Sequence, residues 1–185
     1  MRAFQIFFRI ASALFIPAAF LHAALPTGTT HSISFVDIDG KKFSTADGHV
    51  TIVVLTTTAN YEKARTVGDR VPDFCLSNPD YRMITVVHFT GRHMAIGRRI
   101  ATAFIRHRMR EEAKRLQARY DDRKISRDAS HDIFVVTDFD GTTASQLGEA
   151  EEAKDFRVFV FGRTGELLAQ WQGVPSGDQL AAALK

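Results

Sequence analysis

Residues 133–185 read IFVVTDFDGTTASQLGEAEEAKDFRVFVFGRTGELLAQWQGVPSGDQLAAALK, and the reading of this closing stretch decides the fold. Ile133 to Val136 is a short β-branched and aromatic run, and an Asp-Gly turn signal at residues 138–141 ends it, so it reads as a strand leaving a core. Phe156 to Phe161 is apolar at nearly every position, as in a strand covered on both faces. Gly162 to Glu166 supplies a glycine-containing hairpin loop, and Leu167 to Trp171 returns as the antiparallel partner. Ser176 or Asp178 accepts backbone N–H bonds at the start of a final helix whose Leu180, Ala181 and Leu184 share one face.

Strand, short helix, strand, hairpin, strand, glycine, helix: this order, with the runs DFDGTTASQLG and FRVFVFGRTGELLAQWQGVPS, resembles the close of thioredoxin-like proteins of the peroxiredoxin and TlpA-like thiol-disulfide oxidoreductase group. The resemblance spans Ser32 to Lys185 and implies one α/β domain, a central mixed β-sheet flanked by helices. That family places a cis-proline just before the strand corresponding to Phe156 to Phe161, facing its redox site. Lys154, Asp155 and Phe156 stand there in this chain, so the proline is missing.

The front half supplies the remaining elements. Ile33 to Val36 and Lys41 to Phe43 read as an N-terminal hairpin around Asp39-Gly40, and Val50 to Leu55 as a buried parallel strand. The resemblance implies that the loop after this strand carries the chemistry, with cysteine opening the next helix so that the helix N-terminus lowers the thiol pKa. Here the loop contains Thr57, Thr58, Ala59 and Asn60, and a hydroxyl with no base beside it is no thiolate. Dithiol exchange at this loop is excluded. Thr58 or Asn60 is expected to cap a helix running from Tyr61 towards Cys75, with Pro72 kinking or ending it. Cys75 is the only cysteine, so no internal disulfide forms; with Phe74 and Leu76 beside it, it reads as a partly buried structural thiol.

Two other patterns carry chemistry on paper. Val135 to Thr143 resembles the first motif of haloacid-dehalogenase-type phosphatases, which would make Asp138 a nucleophile and Asp140 an acid/base beside Mg²⁺. Residues 144–185 lack the later acidic pair that family needs, and Asp37 to Gly40 repeats the Asp-x-Asp-Gly spacing at another strand end, so turn chemistry explains both. Tyr81 to Phe89 reads as a strand ending in His88, but His88 and His93 have no third ligand at metal-binding spacing. No cofactor or metal is expected.

Arg92 to Arg127 is the most unusual segment. Ile100, Ala101, Phe104, Ile105, Met109, Ala113, Leu116 and Tyr120 recur at helical steps, predicting a long amphipathic helix with that face on the sheet. Its other face is basic: twelve cations stand against four carboxylates in a chain whose net charge is only +3. Arg98, Arg99, Arg106, Arg110, Arg115 and Arg119 are the candidate contacts to an anionic membrane surface or an acidic protein, the alternative being a solvated helix face. No nucleic-acid-binding signature accompanies them.

Residues 1–24, with Arg2, Arg9, an apolar run and small residues at Ala23 and Ala24, have the layout of a secretory signal peptide cut after residue 23 or 24. An uncleaved N-terminal anchor is the alternative. Residues 25–31 read as a linker, and 32–185 as the domain, which 185 residues at 45% hydrophobic composition suffice to core. The sequence therefore points to an exported, thioredoxin-like binding or structural module of the cell envelope without catalysis, periplasmic or secreted. A one-cysteine thiol peroxidase using Cys75 and the phosphatase are the enzymatic alternatives.

Overall fold

The structure is a computed structural model and describes residues 25–90, 95–148 and 155–185. The expected signal segment, His93 and Lys154 lie outside the described residues.

A hairpin of β1 (Ser34–Val36) and β2 (Lys42–Ser44) opens the domain, with Phe35 opposite Phe43. Its turn is built by Asp37, whose Oδ1 accepts from the backbone N–H of Asp39 at 2.9 Å and Lys41 at 2.8 Å. The larger sheet contains β3 (Val50–Thr56), β4 (Tyr81–His88), β5 (Phe134–Asp138), β6 (Arg157–Phe161) and β7 (Leu167–Gln172) in the order β5-β4-β3-β6-β7. The first three are mutually parallel, whereas β6 pairs antiparallel with β3 and β7 antiparallel with β6. Helices α1 (Tyr61–Arg70) and α2 (Ala95–Asp122) connect the parallel strands; α3 (Thr142–Gln146) follows β5, and α4 (Gly177–Ala183) closes the chain.

The two-residue period of the strands sends alternate side chains to two cores. Val53, Leu55, Ile84, Val86, Phe159 and Phe161 meet Phe35 and Phe43 of the hairpin on one face. On the other, Ile52, Val54, Val158 and Val160 meet Ala64 and Val67 of α1 and Leu180 and Leu184 of the C-terminal segment. Ser176 caps α4 as expected, in a capping box with Gln179: their reciprocal bonds measure 3.1 and 2.8 Å.

Three expectations are corrected. Helix α1 stops at Arg70 rather than running towards Cys75, because Val71 before Pro72 is extended (ψ 128°) and Asp73–Cys75 forms a separate 3-10 turn. Residues 25–31, read as a linker, lie against β7: Gly28 N–H donates to Leu167 O (2.8 Å), Leu167 N–H to Thr29 O (2.9 Å), and Gln170 Nε2 to Leu25 O (2.7 Å). Gly165 permits the approach, since at φ +85° a Cβ there would sit 2.5 Å from His31 O. Finally, the apolar side of α2 divides. Ile105 and Tyr120 are buried, but Ile100 is 67% and Phe104 46% exposed, because the helix meets the sheet only from about Ile105, against Val87 and Val135.

Candidate functional site

The loop that resembles a redox site sits where β3 delivers it. Thr56 is buried and its hydroxyl donates to Thr57 O at 3.2 Å; Thr58 and Ala59 are exposed, and Thr57 and Asn60 half-buried. Residues Thr58–Asn60 form a 3-10 turn into α1. Asn60 occupies the N-cap of α1 without the expected capping bond; its amide points at Thr57 Oγ1, 3.5 Å away. Lys63 lies 5.9 Å from the Phe156 ring, so the start of α1 faces the position where the resembled family carries its proline. Glu62, in the first turn of α1, is tied to Arg65 at 2.9 Å, and among the described residues no base is bonded to these hydroxyls.

Cys75 belongs to the core beneath α1 and is 8% exposed. Burial pushes its thiol up to about 11, against a smaller opposing pull from Arg119, so it is protonated at neutral pH and a poor nucleophile.

His88 and Asp138 are register partners at the ends of β4 and β5, 3.1 Å apart and buried. The Asp138 carboxylate also accepts from the backbone N–H groups of Thr143 (3.2 Å) and Ala144 (3.0 Å), while Asp140 accepts from Thr142 (3.1 Å). The Thr142 backbone bond holds the Asp140 carboxyl below its ordinary value. Both aspartates thus serve the turn into α3, where Gly141 takes φ 74°; Asp138 is buried and Asp140 exposed. Among the described residues no group of three or more His, Cys, Asp or Glu is placed to hold a metal ion.

The basic helix divides into two electrostatic halves. In the second, Arg115 pairs with Asp69 (3.0 Å), and Arg119 pairs with Asp73 (2.7 Å) and donates to Gly68 O and Val71 O. Those cations are spent on α1 and the turn after it. In the first half, Ala95–Arg110, no carboxylate occurs. Arg98 lies 5.4 Å from the Phe139 ring, and Arg106 reaches Asp39 at 3.0 Å while half exposed. Arg99 and Arg110 make no hydrogen bond among the described residues. Ile96, Ile100 and Phe104, at four-residue steps, form an exposed apolar ridge. The sequence reading missed that ridge because it assigned Ile100 and Phe104 to the sheet.

A cavity of about 390 Å³ lies between α1, α2 and the sheet, with Met83, Val87, Ile105 and Met109 among its lining. Its one sequence signal is Gly68, inside α1 at an ordinary φ.

No protein-family model matches the chain, and no curated protein matches it. Solved structures do. An exposed lipoprotein thioredoxin of Streptococcus pneumoniae is 13% identical with a TM-score of 0.53, over 83% of this chain and 97% of that one. A thiol:disulfide interchange protein of Chlorobium tepidum is 16% identical with a TM-score of 0.53, over 88% and 96%. A DsbF homologue of Corynebacterium diphtheriae is 12% identical with a TM-score of 0.52, over 96% and 97%. At such identities the likeness establishes fold. The chain has the thioredoxin-like fold with a single cysteine, so it carries no Cys-x-x-Cys pair. No helix among the described residues is long and apolar enough to cross a membrane.

Proposed function

We propose that this protein is an exported, non-catalytic thioredoxin-fold module of the cell envelope that docks on an anionic membrane surface through the first half of α2. The observation that carries the reading is the composition of Ala95–Arg110: five arginines and His107, no carboxylate, and the exposed ridge of Ile96, Ile100 and Phe104. Cations at an anionic bilayer contribute about 1 kcal/mol each, and apolar side chains entering the headgroup boundary add to that. Threonines in the redox loop and a buried, protonated Cys75 argue against thiol chemistry, including peroxide reduction at Cys75.

The test is co-sedimentation of the full chain with vesicles containing phosphatidylglycerol, compared with phosphatidylcholine alone, across a salt series. Binding is expected to need the anionic lipid, to weaken with salt, and to fall about tenfold or more in Ile96→Ser/Ile100→Ser and in Arg99→Glu/Arg110→Glu. Equal binding by these variants and the parent would remove α2 as the docking surface. Binding to an acidic protein but to no vesicle would replace the membrane as partner.

A further inference from the structure

We infer that the cavity between α1, α2 and the sheet is a binding site for an uncharged apolar small molecule of about 15 non-hydrogen atoms. This site shares Ile105, Arg108 and Met109 with the first half of α2 but none of the exposed ridge of Ile96, Ile100 and Phe104. Strand β4 has a neighbour on each side, yet Met83 and Thr85, at its middle, are only half-buried, while Ile84 and Val86 on its opposite face are fully buried. The two helices above it therefore do not close over the sheet. Polar contacts join them, among them the ion pairs Arg65 to Glu112 at 2.8 Å and Arg115 to Asp69 at 3.0 Å and the bond from Arg119 to Gly68 O.

Gly68 supplies the second observation. A glycine inside a helix is destabilising relative to alanine, and no unusual φ calls for one here. A Cβ at this position would point at Met83 Cε, 3.8 Å away, so the missing side chain keeps space open over the strand.

Chemistry selects the occupant. Met83, Met109 and Leu116, all half-buried, offer apolar surface over the buried Ile52, Val87 and Ile105, and the two thioethers adapt to a ligand's shape. The Arg65, Arg82, Arg115 and Arg119 guanidiniums at the lining each face a carboxylate, and that of Arg108 lies over the Tyr61 and Phe104 rings, so the protein's own groups already engage these charges. An apolar cavity of about 150 Å³ accepts benzene, and by that yardstick 390 Å³ takes about 15 non-hydrogen atoms. The volume also falls in the range of small-molecule sites, about 300 to 1,000 Å³.

The experiment titrates the full chain, refolded from guanidinium to strip any co-purified occupant, with N-phenyl-1-naphthylamine, an uncharged dye that brightens in apolar surroundings. One saturable site is expected, with a dissociation constant on the order of 10 µM. Gly68→Leu is expected to weaken it about tenfold or more and Gly68→Ala by a smaller factor, whereas Ile96→Ser/Ile100→Ser leave it within about twofold. Because Cys75 lines the cavity, saturating dye is also expected to slow its alkylation by N-ethylmaleimide severalfold in the unaltered protein, a readout that needs no variant. Absence of saturable binding, unchanged alkylation, or a signal lost with the Ile96/Ile100 ridge instead of with Gly68→Leu would overturn the assignment. So would dye binding that appears only after residues 1–24 are removed, since the leader would then be the occupant.

Discussion

Arg82 distributes its guanidinium over three segments of chain. Nε donates to Thr51 Oγ1 (3.0 Å), Nη1 and Nη2 hold Asp47 in a fork (2.8 and 2.6 Å), and Nη2 also donates to Ser44 O. The side chain is 6% exposed, so the charge has left water and depends on those acceptors. Lysine keeps the charge and loses the fork. Arg82→Lys is expected to cost about 2–3 kcal/mol in urea denaturation, a surface-sized loss below about 0.5 kcal/mol being the contrary result. Nothing local in the sequence announces this residue, since its partners lie more than thirty positions away, whereas Asp37 and Asp140 were legible as turn residues because their donors lie within four residues.

At the scale of elements, the long helix shows where periodicity stops informing. Three- and four-residue spacing identifies which side of α2 is apolar, but not how far along that side a sheet extends. The strands and the hairpin were legible because alternation and turn residues act within a few positions, and the capping box for the same reason. The division of α2 yields a paired prediction. Ile105→Ala is expected to cost about 3 kcal/mol, as for a core residue, while Ile100→Ser stays within about 0.5 kcal/mol. Comparable losses in chemical denaturation would mean that the sheet or another surface covers both. The cavity beneath the helix escaped the sequence because it arises from the offset of α1 from α2, which no single segment encodes.

For the whole molecule, displaced titrations bound the stable pH range. Burial alone would raise the Asp47 carboxyl, but hydrogen bonds from Arg82, Ser44 N–H and His49 together hold it at about 2, and Arg119 and Arg123 lower Asp73. Because the folded value lies below the unfolded one, this stability is present above about pH 4 and is lost as pH falls towards 2. Burial raises the Cys75 thiol to about 11 and the Tyr120 phenol to about 12, the latter helped by its bond to Asp132. These groups favour the folded state while neutral, so their contribution is full below the unfolded values and disappears as pH climbs from about 9 to 12. Thermal melts are expected to show a plateau between about pH 5 and 8, with the alkaline fall beginning later in Cys75→Ala. An alkaline limb identical in that variant would mean the thiol is as accessible folded as unfolded.

The contact of residues 25–31 with β7 bears on the edge of the sheet. Strand β7 is the last in the sheet, and an uncovered edge is a template for pairing with another copy. Residues 28–30 occupy the beginning of that edge, with Thr30 bridged to Glu166. A chain shortened to Leu25 keeps this cover in place. A cut before Ser32 would strip it, and the shortened chain is expected to self-associate on size-exclusion chromatography at concentrations where the longer one elutes unchanged. How far the N-terminus can be shortened would then be limited by colloidal stability.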